Sequence, residues 1–323
     1  MTFWQDKPVL ITGASGLLGS AMVKDLVKKK ADVVCLLRDW VPDSEMFRNE
    51  NVNDVTIVSG AITNQPLIER TLGEYEIETV FHLAAQTIVK VANANPVSTF
   101  ESNIKGTWTV LEACRRSPAV TSIVVASSDK SYGTQPTLPY NEDMSLRGIY
   151  PYDVSKVCTD LIAQSYAQTY QLPIGITRCG NFYGPGDLNW NRIIPGTIRS
   201  ILRNLPPVIR SDGTTIRDYL FIEDAVNGYL RIAEFLEGWR TVYSGEAFNL
   251  STETPLSTLK VVTHILELMD SELEPIILNR TSNEIQEQWL SAEKAHRLLN
   301  WYPLYHLDDG LRTTINWYKE ILK

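Results

Sequence analysis

A run of strand-forming residues, Val9-Leu10-Ile11, passes directly into Thr12-Gly13-Ala14-Ser15-Gly16-Leu17-Leu18-Gly19, and a helix-like stretch follows from Leu17 to Lys29. Three glycines at this spacing, between a strand and a helix, leave few folds open. The first permits a tight turn, the second lets a pyrophosphate approach the backbone, and the third lets the helix pack close to the sheet. The free N–H groups and the positive dipole end of the helix then face the phosphates. Gly13, Ser15, Gly16, Leu17, Leu18 and Gly19 are therefore expected to bind a dinucleotide.

The turn begins a regular alternation. Strand-like Val33 to Leu37, Val55 to Val58, Val80 to Leu83, Ser122 to Ala126 and Ile174 to Arg178 are separated by helix-like segments, among them Gln65 to Leu72, Val97 to Arg116 and Tyr152 to Tyr170. This predicts an α/β fold, a Rossmann-type doubly wound parallel sheet with helices on both faces. Ligands bind such sheets at the carboxyl ends of the strands, where strand order reverses. After residue 180 the pattern breaks. Segment 181–218 is rich in Pro, Asn, Arg and Gly and reads as loops around a helix from Ile193 to Leu202. Helix-like 222–238 and strand-like Ala247 to Leu250 are expected to return to the sheet. Stretches 257–270, 291–299 and 308–322 read as helices of a smaller cap. The expected organisation is a dinucleotide-binding domain over 1–180, rejoined by about 219–250, and a smaller C-terminal, mainly substrate-binding domain over 181–323.

With 323 residues, 44% apolar and 21% charged, the chain has enough apolar surface for a large core. The longest apolar runs, such as 119–127 and 80–85, are too short to span a bilayer. The start, MTFWQDKPVL, lacks the basic and apolar segments of a secretory leader. A net charge of -8 argues against a nucleic-acid-binding surface. Cys35, Cys114, Cys158 and Cys179 form no CxxC pair, and the four histidines show no ligand spacing. No disulfide framework and no metal are expected, and a cytoplasmic protein with reduced thiols is the simplest reading.

At the end of the second strand an acid would bind the ribose 2′-OH of NAD, and an arginine would suit the 2′-phosphate of NADP. The chain has Leu36-Leu37-Arg38-Asp39, which leans towards NADP, with a solvated surface cation as the alternative. Further on, Tyr152-Asp153-Val154-Ser155-Lys156 puts a tyrosine and a lysine one turn apart on one helix face. A free tyrosine titrates near 10. A neighbouring lysine and a positive nicotinamide would lower that value and make the phenol a usable base.

Together these motifs resemble the extended short-chain dehydrogenase/reductase family, the nucleotide-sugar epimerases and dehydratases. The resemblance covers nearly the whole chain. It extends to His82-Leu83-Ala84-Ala85-Gln86, Asn103-Ile104-Lys105-Gly106-Thr107, Ser127 to Gly133, Arg178 to Gly186, Asn191 to Pro195, Arg217-Asp218-Tyr219, Asp224-Ala225 and Leu298 to Pro303. Ser128-Asp129-Lys130 is similar to the CDP-glucose type of 4,6-dehydratase, where an acid is followed by lysine. Phe3-Trp4-Gln5 and Gly186-Asp187 near Asn191-Arg192 point the same way. Gly60-Ala61 stands where the family has Gly-Asp, which removes a usual hydrogen bond to the adenine amino group, and Arg38 is unlike the NAD-using members.

The resemblance implies a nucleotide-sugar 4,6-dehydratase, a lyase, most closely one acting on CDP-glucose. An epimerase, a reductase or a GDP-mannose 4,6-dehydratase is the alternative. A catalytically silent dinucleotide-sensing protein is disfavoured because Ser128, Tyr152 and Lys156 are all present. Tyr152 would take the proton of the C4 hydroxyl, Lys156 would hold the phenolate and the nicotinamide ribose, and Ser128 would hydrogen-bond the sugar oxygen. Asp129 would be the acid for the leaving C6 hydroxyl, with Lys130 in the position of the base at C5. Aspartate is ordinarily ionised and lysine protonated, but low dielectric and an adjacent cationic nicotinamide would favour one proton moving from Lys130 to Asp129, leaving a neutral pair. A structural ion pair is the alternative. Ala61, Ile62, Leu83, Ala84, Ala85, Gln86, Asn103, Tyr152, Lys156 and Cys179 are implied cofactor contacts alongside the glycine turn and Arg38. Gln86, Asn181, Asn191, Arg192, Arg210 and Arg217 are the expected substrate contacts, the arginines because their fork suits a pyrophosphate; Arg210 reads equally well as solvated surface. NADP or NAD would stay tightly bound and be regenerated in each cycle. A homodimer through a four-helix bundle of 97–116 and 152–170 is also implied.

Overall fold

The computed structural model describes residues 2–48, 53–280 and 285–322. Its centre is a sheet of seven parallel strands: β1 (Pro8–Thr12), β2 (Asp32–Leu37), β3 (Val55–Ser59), β4 (Thr79–His82), β5 (Ser122–Ala126), β6 (Ile174–Cys179) and a last strand, Ala247–Leu250. Across the sheet the order is 247–250, β6, β5, β4, β1, β2, β3. The chain winds outward from β1 to β3, then crosses back to place β4 on the other side of β1. The fold is therefore Rossmann-type, and a cleft opens beyond the carboxyl ends of β1 and β4.

Both faces of the sheet are buried, and the period of two sorts side chains between two cores. In β1, Val9 and Ile11 join one core and Leu10 the other; in β2, Val33, Cys35 and Leu37 oppose Val34 and Leu36. Helices Leu17–Lys28 and Ile222–Tyr243 close the first core, with Trp4, Phe81, Phe248 and Trp301 among them. Helices Gln65–Glu74, Gly106–Arg116 and Pro151–Tyr170 close the second. Each fully buried aliphatic or aromatic side chain contributes about 1.5–3 kcal/mol. No helix among the described residues is long and apolar enough to cross a membrane.

Three sequence expectations change in detail. The helix expected over 97–116 is interrupted: Pro96–Phe100 runs into a π-helical turn, Glu101–Lys105, before Gly106–Arg116. The wider turn carries Asn103, which is buried against the site. The helix expected to end at 238 continues to Tyr243, but Trp239 is non-helical (φ -130°, ψ 18°), so the expected end coincides with a break. Segment 181–218 holds two- and three-residue strands as well as loops. Asn181–Tyr183 pairs with Tyr219–Phe221, Val208–Ile209 with Ile276–Ile277, and Ile216–Arg217 with both Leu256–Ser257 and Glu287–Gln288. Strands this short carry no readable alternation. The cap helices are Thr258–Leu268, Glu293–Leu299 and Leu307–Ile321.

A buried histidine locks the two strands that border the cleft. The Thr12 hydroxyl accepts from the backbone N–H groups of Leu83 (3.1 Å) and Ala84 (3.2 Å), so its own proton points to His82 Nδ1 at 2.9 Å. Thr107 spends its proton on the Asn103 carbonyl at 2.6 Å, so it accepts from His82 Nε2 at 3.2 Å. His82 is thus neutral and protonated on Nε2. Burial, with the Lys156 charge adding to it, lowers its pKa to about 3. A folded-state value below the usual 6.5 means the unfolded chain binds the extra proton first. His82 stability is therefore complete above about pH 6.5 and is lost as pH falls towards 3. His82→Gln is expected to flatten this acid limb by up to about 1.4 kcal/mol per pH unit. Urea unfolding between pH 4 and pH 7 measures it, and parallel slopes in the two proteins would rule the lock out.

Candidate active site

The cleft at the switch point encloses about 780 Å³. Its floor is a cradle that tolerates no side chain. Gly13 has φ +75°, and a Cβ there would stand 2.8 Å from the Ala84 backbone. A Cβ on Gly19 would stand 2.2 Å from the Gly13 carbonyl oxygen. Gly16 starts the helix Leu17–Lys28 without a side-chain cap on its first N–H groups. This close backbone approach, facing helix N–H groups, fits the pyrophosphate of a nicotinamide dinucleotide. Ser15, Leu17, Leu18, Ala61, Ile62, Leu83, Ala84, Ala85 and Cys179 all line the same cleft. Arg38 stands at the rim, 68% exposed, and its Nε donates to the Asp39 carboxylate at 2.6 Å.

Asn103 lies behind the cleft wall rather than on it. Its Oδ1 accepts from the Gln86 N–H at 2.7 Å, and its Nδ2 donates to the Gln86 carbonyl (3.1 Å) and to Ser155 Oγ (2.9 Å). It therefore fixes the backbone of Gln86, which does line the cleft.

The chemical groups come from the ends of β5 and from the helix Pro151–Tyr170. Ser128 caps a single helical turn, Asp129–Tyr132, and its Oγ accepts from the Lys130 N–H at 3.2 Å and donates to Asp129 Oδ1 at 2.9 Å. Tyr152 and Ser128 line the same cleft. Burial raises the Tyr152 pKa to about 12, with the Ser128 hydroxyl opposing. The sequence expectation of a tyrosine lowered by a lysine and a positive nicotinamide together concerns the loaded site; in the chain by itself desolvation outweighs the nearby charges. The cation that most opposes it is Arg192, since the Lys156 ammonium turns to donate to the Ala126 carbonyl at 2.7 Å. Burial also lowers Lys156 to about 8, with Asp160 opposing. Asp129 and Lys130 line the cleft beside these groups.

Two residues near them carry no sequence signal. Gln288, fully buried, accepts from Lys130 Nζ and donates to the Asp129 carbonyl oxygen at 2.8 Å. Asp153 is buried under the turn; desolvation raises its pKa to about 6, with Lys130 opposing and Asp129 adding to the shift. Both partners of Gln288 lie more than 150 positions away in the chain, beyond the reach of any local pattern.

Asn181, Asn191, Arg192 and Arg210 line the outer cleft. Arg192 is held by Asp187 at 3.1 Å, and Arg210 donates to Asn191 Oδ1 at 2.9 Å. Arg217, expected as a substrate contact, lies off the cleft lining. It is buried, and its guanidinium donates to the carbonyls of Ile216 (2.7 Å), Ile285 (2.6 Å) and Gln286 (3.3 Å).

Residues 9–250 match the NAD dependent epimerase/dehydratase family. The chain belongs to that family. The family is one of NAD-dependent epimerases and dehydratases, and the glycine cradle fits a nicotinamide dinucleotide. It is 29% identical, over 99% of its length, to the trifunctional UDP-glucose 4,6-dehydratase/UDP-4-keto-6-deoxy-D-glucose 3,5-epimerase/UDP-4-keto-L-rhamnose-reductase of Arabidopsis thaliana, of which it spans 48%, about half. It is 27% identical to the CDP-glucose 4,6-dehydratase of Salmonella typhimurium, covering 98% of this chain and 92% of that one. Among solved structures, DesIV, the dTDP-glucose 4,6-dehydratase of Streptomyces venezuelae with NAD bound, superposes with a TM-score of 0.85 at 26% identity, covering 97% of each chain.

Two substitutions test the family site. Arg38→Ala is expected to weaken NADP relative to NAD by about tenfold, the modest value fitting an exposed charge; equal losses in titrations of the two cofactors would remove Arg38 from the 2′-phosphate. Tyr152→Phe is expected to retain the cofactor while turnover falls by about 10²–10⁴. Wild-type turnover in that variant would take Tyr152 out of the chemistry.

Proposed function

We propose that this enzyme is a nucleotide-sugar 4,6-dehydratase, with CDP-glucose the first substrate to test. The observation that carries this reading is the presence of a carboxyl, Asp129, and an amine, Lys130, in the same cleft as Ser128, Tyr152 and Lys156. Elimination of water needs an acid and a base in addition to the groups that oxidise C4. The similarity to a CDP-glucose 4,6-dehydratase supports the choice of sugar nucleotide.

The residues divide the work as follows. Tyr152 takes the C4 hydroxyl proton while Ser128, in the same cleft, holds the same sugar oxygen. The glycine turn from Gly13 to Gly19 would hold the nicotinamide dinucleotide, which would supply a hydride acceptor at C4 and a hydride donor at C6. The C4 ketone acidifies the C5 proton, which the neutral Lys130 amine removes. The C5–H electrons form the C5–C6 double bond, the C6–O bond breaks, and the Asp129 proton leaves with the hydroxyl as water. Lys130 then returns its proton to C5. The proton left on Tyr152 would return to Asp129 by way of the Ser128 hydroxyl, which donates to Asp129 Oδ1, and so reset the site. Arg192 and Arg210 suit the pyrophosphate, and Gln86 and Asn181 the sugar.

In this reading residues 1–180 with about 219–250 bind the cofactor and the remainder mainly binds substrate. The enzyme pairs with a second copy through the outer faces of the helices at 96–116 and 151–170. Exposed apolar side chains there, Val97 (70%), Trp108 (43%) and Leu161 (52%), support that partner. A second reading, a 4-epimerase or reductase, is favoured by the hydrogen bond from Lys130 to Gln288, which would make the lysine a structural tie.

Lys130→Met separates the two. C4 oxidation uses Tyr152, Ser128 and Lys156, so reduced nicotinamide is expected to accumulate in a single turnover, while solvent exchange at C5 falls by about 10²–10⁴. Exchange at the wild-type rate in the variant would end the base assignment. A wild-type enzyme that exchanges C5 hydrogen on no nucleotide hexose (CDP-glucose, dTDP-glucose, UDP-glucose or GDP-mannose) would end the dehydratase reading in favour of the second.

A further inference from the structure

We infer that Gln288 is a positioning residue that aims the Lys130 amine at C5 of the sugar, an inference that rests on the dehydratase reading. Gln288 sits in the two-residue strand Glu287–Gln288, whose backbone pairs with Ile216–Arg217, so it approaches the catalytic turn from the far end of the chain. Hydrogen-bond accounting fixes its orientation. The Asp129 carbonyl is an acceptor only, and it receives Nε2 at 2.8 Å, so Oε1 must be the end that faces Lys130. Lys130 Nζ therefore donates to Gln288.

That donation matters for an amine that must act as a base. A neutral amine carries two N–H bonds and one lone pair. Holding one N–H on Oε1 restricts the lone pair to the remaining directions, where an unconstrained lysine would spread it over many rotamers. A neutral amide is suited to this because it receives the N–H without electrostatically retaining a further proton on nitrogen. A carboxylate in its place would favour the ammonium, which has no lone pair. Titratable groups that face Lys130 include Asp129 on its own turn and Asp153 from the helix Pro151–Tyr170. On the Gln288 side stand Glu287, exposed, and the Arg217 guanidinium. Arg217 has a place in the same device. By gathering the carbonyls of Ile285 and Gln286 it braces the backbone that leads into Gln288.

Gln288→Leu and Gln288→Glu test the inference, each compared with wild type for nicotinamide binding, C4 oxidation in a single turnover and solvent exchange at C5. A mispositioned reacting group loses about 10² in rate. Gln288→Leu is expected to bind cofactor and oxidise C4 like wild type while C5 exchange falls by about that factor. Gln288→Glu keeps the shape and adds a charge, so the pH at which exchange switches on is expected to rise by about 1–3 units. Wild-type exchange in Gln288→Leu, or an unshifted pH profile in Gln288→Glu, overturns the inference and leaves the dehydratase reading standing. Parallel loss of C4 oxidation and C5 exchange in both variants also overturns it, making Gln288 a structural tie. Absence of C5 exchange in the wild-type enzyme overturns the dehydratase reading and this inference with it.

Discussion

The approach of Gly13 to Ala84 at the end of β1 is the constraint on which the site depends. A Cβ at position 13 would stand only 2.8 Å from the Ala84 backbone, so the exits of β1 and β4 lie closer together than any residue but glycine allows. The Thr12 hydroxyl then holds the β4 exit through Leu83 and Ala84, and the neutral His82 carries that connection to Thr107 and Asn103. Asn103 in turn fixes Gln86 and reaches Ser155 on the catalytic helix. One chain of short polar contacts thus runs from the phosphate cradle to the helix that carries Tyr152 and Lys156. Inside a low-dielectric core such a chain orients its members only if each donor meets an acceptor, a condition these residues fulfil.

A second network fixes the turn that carries Asp129 and Lys130. Arg178 and Asp160 form a buried two-point pair, 2.8 and 3.0 Å, and Arg178 also donates to Tyr132 at the end of that turn. Tyr132 donates to Asn249 of the last strand. A buried ion pair adds little net stability once desolvation is counted, but its directional hydrogen bonds give it value as a register device. Here it ties β6, the catalytic helix, the turn and the edge strand into one frame, with Gln288 closing the frame from the cap side.

What the sequence makes legible follows from the range of the forces. The glycine turn is a local steric requirement, and strands such as Val33 to Leu37 are buried on both faces, so fold and cradle are readable from runs of neighbouring residues. The tyrosine–lysine spacing is likewise one helical turn. Asn103, Arg217 and Gln288 are polar residues whose roles depend on partners far along the chain. Nothing in a local pattern separates a carbonyl-gathering Arg217 from a phosphate-binding one. The protonation of Tyr152 is illegible for another reason: spacing reports its neighbours, whereas burial decides its pKa.

That decision has consequences for how the site is switched on. With Tyr152 raised to about 12 and Lys156 lowered to about 8, burial disfavours both charged forms, the phenolate and the ammonium. At neutral pH the chain by itself therefore holds a phenol beside an ammonium. Between about pH 8 and 12 the lysine loses its proton before the tyrosine does, so raising pH removes a helpful cation before it creates the base. The phenolate must instead be stabilised by positive charge brought into the cleft. Arg192, already in the field of Tyr152, supplies part of it, and it lies where a pyrophosphate would recruit it. A phosphate drawing on Arg192 would weaken that contribution, and an oxidised nicotinamide, itself cationic, would add to the Lys156 ammonium. In the proposed reading, burial of Tyr152 would thus make base formation depend on positive charge brought into the cleft, which an oxidised nicotinamide would supply.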